Sequence, residues 1–493
     1  MIQKPAIPDP GTTAGLLDDG LDIGALLPDT LAAWRPLLVE AIGFFLEHLP
    51  APRLDAIVAE QFALDGEASP AARAAGLLAH CPTLHKLGQV VARQPALHPE
   101  LRRQLQALES MPPSVDMDAL LRQIRARLGP RSALRLADSA LAEGSVAVVL
   151  PCSWRQDGRV HEGVLKVLKP GIAGHLAEEL AILPALATFL EHRAAALGLP
   201  AIDYRSHLAS ASRLLQQEIR LDREQANMRA ASALLDADGA VFVPALLPWC
   251  TPEITAMARV EGPKLADAVL RPGQGRRLGH ALVAALLGRP FWSAADDALF
   301  HGDLHGGNLL LAPDGRIAAL DWSLTASLSK PHREALVAIA LAALALDEAR
   351  VVAGLAALGL RDARGAAITA RVGAALDALV RSGRPPGFDW LLRLLDELAL
   401  QGAAGFGAQL AVLRKSWLSL SGVLHDLGAG AQADLPLIDV GLQRFMSEWP
   451  ARLVAAPDSR AFATHVSTAD LIHTAVHAWP ASLRYWTRLF ARA

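Results

Sequence analysis

Asp303, Asn308 and Asp321 are the residues of this chain whose types and spacing could do chemistry. They stand in His301-Gly302-Asp303-Leu304-His305-Gly306-Gly307-Asn308 and in Asp321-Trp322-Ser323. An Asp, an Asn five residues on and a second Asp beyond two apolar runs are what phosphoryl transfer requires. The first carboxylate orients the attacking group. The Asn and the second Asp hold the metal ions that neutralise the phosphates. Asn308–Ala312 and Gly315–Leu320 are the apolar runs, joined by the turn sequence Pro313-Asp314-Gly315. The two acidic groups therefore sit at the two ends of one hairpin and can face the same point. A surface loop with scattered charges is the competing reading. A zinc site is another, because His301 and His305 have metal-ligand spacing on a helix. Gly302, Gly306 and Gly307 oppose a helix there.

Such a site also needs a loop over the phosphates, a Lys on a strand and a Glu that holds the Lys. Gly163-Val164-Leu165-Lys166-Val167-Leu168 places Lys166 inside a β-type run, where snorkelling to solvent is the alternative. Ala140-Leu141-Ala142-Glu143-Gly144-Ser145 lies between two strand-like runs, and its small residues let backbone approach phosphates closely. An ordinary hairpin would read the same. Gln217–Asn227 is a highly charged helical stretch, which by itself reads as a solvated face.

The elements that must position these residues follow from period and turn chemistry. Residues 1–30 are rich in Pro, Gly and Asp and read as a loose leader. Residues 31–130 have helical spacing, broken at Pro50-Ala51-Pro52 and Met111-Pro112-Pro113. Ser145–Leu150 and Val160–Leu168 flank the hairpin signal Gln156-Asp157-Gly158. Helix returns over 173–236, Val241–Leu247 and Glu253–Val260 read as strands, and the chain beyond Gly262 is helical apart from the hairpin. The order is helices, small mixed sheet, catalytic hairpin, helices. That is an α+β, two-lobed, protein-kinase-like plan, mostly helical, with an N-terminal helical extension. The extension spans 31–130, a kinase-like N-lobe with a helical insertion 131–260, and a kinase-like C-lobe with C-terminal helices 261–493.

Bulk properties narrow the class. Apolar residues make up 52% of the 493-residue chain and charged residues 20%, so a large core is available. Net charge is −3 and the pI near 6.6, without the basic footprint of a nucleic-acid binder. Cys81, Cys152 and Cys250 are isolated, which fits a reducing, cytoplasmic setting. Met1–Gly20 is polar and acidic and does not read as a signal peptide. The longest apolar run, Ala335–Leu346, is shorter than the roughly 20 residues a spanning helix needs and reads as a core helix.

Cys81-Pro82-Thr83-Leu84-His85-Lys86-Leu87-Gly88-Gln89 joins these pieces. With Arg93–Leu97 and Met111-Pro112-Pro113 it resembles the N-terminal signature of the UbiB/ADCK (AarF-domain) family of atypical kinases. That family carries a Lys-x-Gly-Gln motif, an Ala-rich phosphate loop, a Val-Lys-Val strand, an Arg-Glu-Ala-Asn helix and a His-x-Asp-x-His-x-Gly-Asn loop. All five have counterparts here in order, from about residue 80 to 340. The resemblance implies ATP and Mg²⁺ as cofactors. It implies that Lys86 and Gln89, with Glu218, occlude the place of a protein substrate. It gives Ala142, Gly144 and Ser145 the phosphate loop, Lys166 the phosphates, Glu224 the ion pair with Lys166, and Met257 the adenine. It makes Asp303 the catalytic Asp and Asn308 and Asp321 the metal ligands.

The chain departs from the family pattern at three points. Glu-x-Asp reads Glu218-Ile219-Arg220, with Asp222 as a substitute carboxylate. Gly144 stands where the family has Ala. Asp-Phe-Gly reads Asp321-Trp322-Ser323, and loss of the Gly predicts a fixed loop. Many family members end in a membrane-anchoring helical pair; the stretch from Leu442 to Ala493 has too many charges and prolines for one.

Only Ser323–Ser329 separates Asp321 from the next helix, so no platform for a peptide substrate is expected. The resemblance implies a UbiB-like atypical kinase or ATPase acting on a hydrophobic small molecule or lipid-like ligand, in isoprenoid-lipid or quinone metabolism, with peripheral membrane contact. A small-molecule phosphotransferase of the aminoglycoside or choline kinase type is the alternative. A non-catalytic ATP-binding protein is the third reading.

Overall fold

A computed structural model describes residues 29–64, 69, 73–74, 76–77, 80–86, 115–129, 133–200, 202–235, 239–360, 365–383, 386–400, 408–429 and 434–490. The chain divides into two compact units, Met1–Gln225 with Ala245–Arg259, and Ala226–Pro244 with Val260–Ala493.

The first unit begins with helices α1 (Arg35–Glu47), α2 (Ala51–Ala63) and α3 (Met117–Leu128). Strands β1 (Arg135–Leu136), β2 (Ala142–Glu143), β3 (Ala147–Gln156) and β4 (Arg159–Leu168) follow. Then come α4 (Ile172–Ala196), α5 (Tyr204–Glu218), the start of α6 (Leu221–Leu234) and, after an excursion into the second unit, β5 (Ile254–Ala258). The sheet runs β1-β3-β4-β5, with β2 also on β3 and every pairing antiparallel. Asp157 and Gly158 close the β3–β4 hairpin with φ of 52° and 75°. Two left-handed residues in a two-residue loop match the strand twist, and Asp and Gly tolerate that conformation best.

Alternation then decides the faces. Leu150, Leu165, Val167, Ile254 and Ala256 turn to one side and bury against Leu120 and Ile124 of α3. Each such aliphatic side chain contributes about 1.5–3 kcal/mol on burial. A second core joins Leu37, Phe45 and Leu46 of α1, Ile57 of α2, Cys81 and Leu84 to Ile182, Leu183 and Leu186 of α4. Among the described residues α4 is long and apolar enough to cross a membrane, but these side chains face a protein core.

The second unit holds β6 (Asp297–His301), β7 (Leu309–Leu311), β8 (Ile317–Ala319), β9 (Thr325–Ser329) and α7 (Lys330–Leu344), followed by further helices. Of these, α8 (Ala408–Asp426), α9 (Asp434–Arg452) and α10 (Thr468–Phe490) matter below. β7 and β8 form the expected hairpin, and β6 pairs antiparallel with β9. The apolar run at 335–346 supplies the buried side of α7 through Ala335, Leu336, Ile339, Ala342 and Ala343. The two strands expected around 241–260 belong to different sheets. Val241–Phe242 pairs parallel with β8, whereas β5 pairs with β4. Pro244 and Pro248 remove backbone donors between them, and Leu246 makes only an isolated bridge to Met257.

Candidate active site

In the first unit, strand register gathers several of the expected residues. Ala142 lies opposite Val149, Val149 opposite Lys166, and Lys166 opposite Thr255, so one row crosses four strands. Met257 is two residues beyond Thr255 and therefore shares that face. It is the face turned away from the Leu165–Val167 core. Lys166 is the only charged member of the row, and its Nζ meets Glu224 Oε1 of α6 at 2.7 Å. The Glu224 side chain is 1% exposed and that of Lys166 15%. A carboxylate so buried needs a cation, so the pair fixes the first turn of α6 against the sheet.

Gly144, Ser145 and Val146 form the β2–β3 connection, with the Gly144 amide donating to Ala147 O at 2.8 Å. A Cβ at Gly144 would come no closer than 3.5 Å to that oxygen, so the loop accepts the family's Ala without strain. Glu143 holds Lys169 at 2.6 Å and accepts from the Val115 amide at 3.1 Å, tying the loop to the end of β4.

Lys86 pairs with Glu218 Oε1 at 2.6 Å. The segment bearing Lys86 is anchored by Glu179, a fully buried carboxylate within α4. Glu179 accepts from the Thr83 amide at 2.8 Å and pairs with Arg53 of α2 at 2.5 Å. Gln89 lies outside the described residues. Asp222 is held by Arg220 at 2.7 and 2.9 Å, so that carboxylate is already engaged in an exposed local pair. The Arg220 guanidinium keeps the Asp222 carboxyl below the usual carboxylate range.

In the second unit the expected catalytic loop leaves β6 at His301. This residue braces both halves of the motif. Its Nε2 donates to Leu320 O at 2.9 Å, and its Nδ1 accepts the Asp303 amide at 3.1 Å. Burial pushes its pKa below the ordinary histidine value, so the ring is neutral with the proton on Nε2. Both nitrogens are taken by backbone groups, which removes His301 as a zinc ligand. The Asn308 carbonyl accepts the Leu320 amide at 2.8 Å, so the hairpin delivers Asn308 and the residue before Asp321 to facing positions.

The donor set fits a hard divalent cation. Asn308 Nδ2 donates to Asp303 O at 3.2 Å, and only the amide nitrogen can make that bond. The amide oxygen is thereby turned away from it and left as the ligating atom. Asp321 adopts φ of 53°, unusual for a residue with a side chain, and its Oδ1 accepts from Ser323 Oγ at 2.6 Å. Ser323 thus fixes the Asp321 rotamer in place of the family's flexible Gly. Trp322 packs its ring against His301 at 4.6 Å, and its carbonyl accepts from Asn227 at 2.9 Å. A carboxylate and an amide oxygen are ligands that Mg²⁺ accepts.

Sequence reasoning missed several supporting residues. Lys415 of α8 brings Nζ to 2.9 Å from Asp303 Oδ1. Ser416 donates to His301 O at 2.5 Å. Gly302 admits this helix closely, since a Cβ there would lie 2.8 Å from Val412 Cγ1 and 2.9 Å from Leu324 O. Nothing local in the sequence marks these contacts, because helix and loop are far apart along the chain. Thr255, fully buried beside Lys166, was legible in principle from the strand register once β4 and β5 were paired.

Comparison with known proteins bears on the same residues. Residues 109–355 match the ABC1 atypical kinase-like domain, half of the chain. The chain belongs to the UbiB/ADCK family of atypical kinases. The matched stretch contains Lys166, Glu224, Asp303, Asn308 and Asp321, while Lys86 and α8 lie outside it. Among the similar proteins, an uncharacterized protein of Mycobacterium tuberculosis, Rv0647c, is 30% identical over 49% of this chain and 50% of its own length. A protein named probable protein kinase UbiB from Pseudomonas fluorescens is 27% identical over 55% of this chain and 51% of its own. An uncharacterized aarF domain-containing protein kinase of Arabidopsis thaliana is 28% identical over 54% of this chain and 50% of its own. The chain thus spans about half the length of the curated relatives it matches. A solved structure of Rv3197 with erythromycin, from M. tuberculosis, aligns with a TM-score of 0.47 at 18% identity, covering 69% of this chain and 86% of that one. The fold is the kinase-like α+β fold of the family.

Proposed function

We propose that this chain binds ATP with Mg²⁺ and transfers or hydrolyses the terminal phosphoryl group, as an atypical kinase or ATPase. The observation that carries the reading is the His301-braced arrangement of Asp303, Asn308 and Asp321. In it, Asp303 orients the attacking hydroxyl or water. Asn308 and Asp321 would hold the metal, which when bound neutralises phosphate charge. Lys166, paired with and directed by Glu224, serves the phosphates, and Ala142, Gly144 and Ser145 cover them with backbone amides. Met257, on the same face of the sheet, lines the base. Residues 31–130 form the extension, 131–260 the nucleotide-handling part and 261–493 the catalytic part with its helices.

The acceptor class follows from what stands after Asp321. Ser323–Ser329 consists almost wholly of β9 and runs directly into α7, which supports a small or lipid-like acceptor over a peptide. The Lys86–Glu218 pair, with Gln89, acts as the occluding element against protein substrates. Its presence favours the UbiB-like reading, with a hydrophobic isoprenoid or quinone-type ligand, over an antibiotic or choline phosphotransferase. Exposed apolar rows on α9 and α10 support peripheral membrane contact.

ATP turnover in the purified chain tests the reading. Asp303→Asn and Asp321→Asn should each lower kcat by at least about a hundredfold. Nucleotide binding without any turnover in the wild type would leave only a non-catalytic ATP-binding protein.

A further inference from the structure

We propose that Lys415 is the cation of the catalytic loop. It holds the Asp303 carboxylate and supplies positive charge beside the phosphoryl group that Asp303 serves. The inference rests on the phosphoryl-transfer reading and extends it to a residue that neither the loop motif nor the matched family stretch contains.

The loop from His301 to Asn308 carries no lysine or arginine. His301 is buried, and both its ring nitrogens are engaged by backbone groups, Nε2 with Leu320 O and Nδ1 with the Asp303 amide. His305 Nδ1 accepts the Gly307 amide at 3.2 Å. The remaining loop residues are Gly302, Leu304, Gly306, Gly307 and Asn308. Transfer of a phosphoryl group nonetheless builds negative charge on its oxygens, and a fixed cation there is among the larger contributions to catalysis.

α8 fills the gap. Lys415 Nζ lies 2.9 Å from Asp303 Oδ1. The position is not a chance surface contact, because neighbouring residues lock the helix register. Ser416 donates to His301 O at 2.5 Å, and Val412 packs where Gly302 lacks a side chain. On the flanks, Arg414 pairs with Asp396 at 2.6 Å and Trp417 Nε1 donates to Asp389 at 2.6 Å. Trp417 itself is buried. A fully anchored helix therefore presents one lysine to the loop.

The exposure of the pair argues for chemistry over stability. The Lys415 side chain is 39% exposed and that of Asp303 17%. A solvent-screened pair contributes little to folding, so its removal leaves the protein folded. The same openness leaves Asp303 and Lys415 accessible to a ligand.

The test compares Lys415→Met, Lys415→Gln and Lys415→Arg with Asp303→Asn and wild type in steady-state ATP turnover, with thermal unfolding read alongside. The expected result is a kcat lowered by about a hundredfold or more in the Met and Gln variants. KM for ATP should stay within about threefold, and Arg should recover kcat to within about tenfold. Gln keeps a polar side chain and provides the comparison should Met disturb folding. Wild-type kcat in both neutral variants overturns the proposal. So does a loss that Arg fails to recover and that appears equally in KM, which is the signature of a structural role. Turnover abolished by Asp303→Asn but kept in the Lys415 variants rejects Lys415 alone. Turnover absent in wild type, or indifferent to Asp303→Asn, rejects the phosphoryl-transfer reading and this proposal with it.

Discussion

Lys166 and Arg220 make ion pairs of similar length with very different consequences. Lys166 meets a carboxylate that is 1% exposed, whereas Arg220 and Asp222 are 58% and 39% exposed. Replacing one member of a buried pair strands the other charge, at about 3–5 kcal/mol. Lys166→Met should therefore lower stability in urea unfolding by roughly that amount. The double variant Lys166→Met with Glu224→Leu should recover most of the loss, because no charge is left buried. Arg220→Ala should leave the unfolding midpoint unchanged. Equal stability of wild type and Lys166→Met, or a double variant no better than the single, would show that solvent already screens Glu224. The buried pair is also the reason the strand lysine does not snorkel, the alternative that its sequence context left open.

Helices α9 and α10 each have one apolar face too many. α9 buries Leu437 and Gly441 on one side yet leaves Leu435, Ile438, Leu442, Met446 and Trp449 exposed on the other. α10 exposes Ile472, Val476, Trp479 and Leu483, spaced along one helical face. The C-terminal stretch also carries Arg484, Arg488 and Arg492 in sequence. An apolar row with tryptophan, accompanied by arginines, has the chemistry of a helix that lies on an anionic lipid surface. The chain should co-sediment with vesicles containing anionic phospholipid, more weakly as salt rises and more weakly still after Val476→Glu with Trp479→Glu. Vesicles that fail to retain the wild type even at low salt would exclude membrane contact through these helices. The count of charges and prolines after Leu442 spoke against a spanning pair but could not reveal this surface. Sequence alone does not say which of two apolar faces of a helix the core covers.

What was legible across the molecule was local. The β3–β4 and β7–β8 hairpins follow from period-two alternation around Asp157-Gly158 and Pro313-Asp314-Gly315. What was not legible depended on distant contacts, such as the sheet that Val241–Phe242 joins and the reach of Lys415 to Asp303. Buried histidines belong to the second kind, and they set how the whole chain responds to acid. His85 in the first unit and His465 in the second are 6% and 1% exposed. Burial, with Lys169 and Lys86 nearby, pushes His85 down to about 4, against the pull of Glu143. Burial also takes His465 to about 4, helped by Arg333 and Lys330 and opposed by its bond to Phe291 O and by Glu448. An unfolded chain protonates both near 6.5, so between pH 6.5 and about 4 the unfolded state holds more protons. Stability is therefore full above pH 6.5 and falls as pH drops through that window, by at most on the order of 3 kcal/mol for each histidine. The urea midpoint should be lower at pH 5 than at pH 7.5. In His85→Gln with His465→Gln the gap between the two pH values should shrink, whatever the substitutions do to stability at neutral pH. An undiminished gap would place the acid sensitivity in His301 or the carboxylates instead.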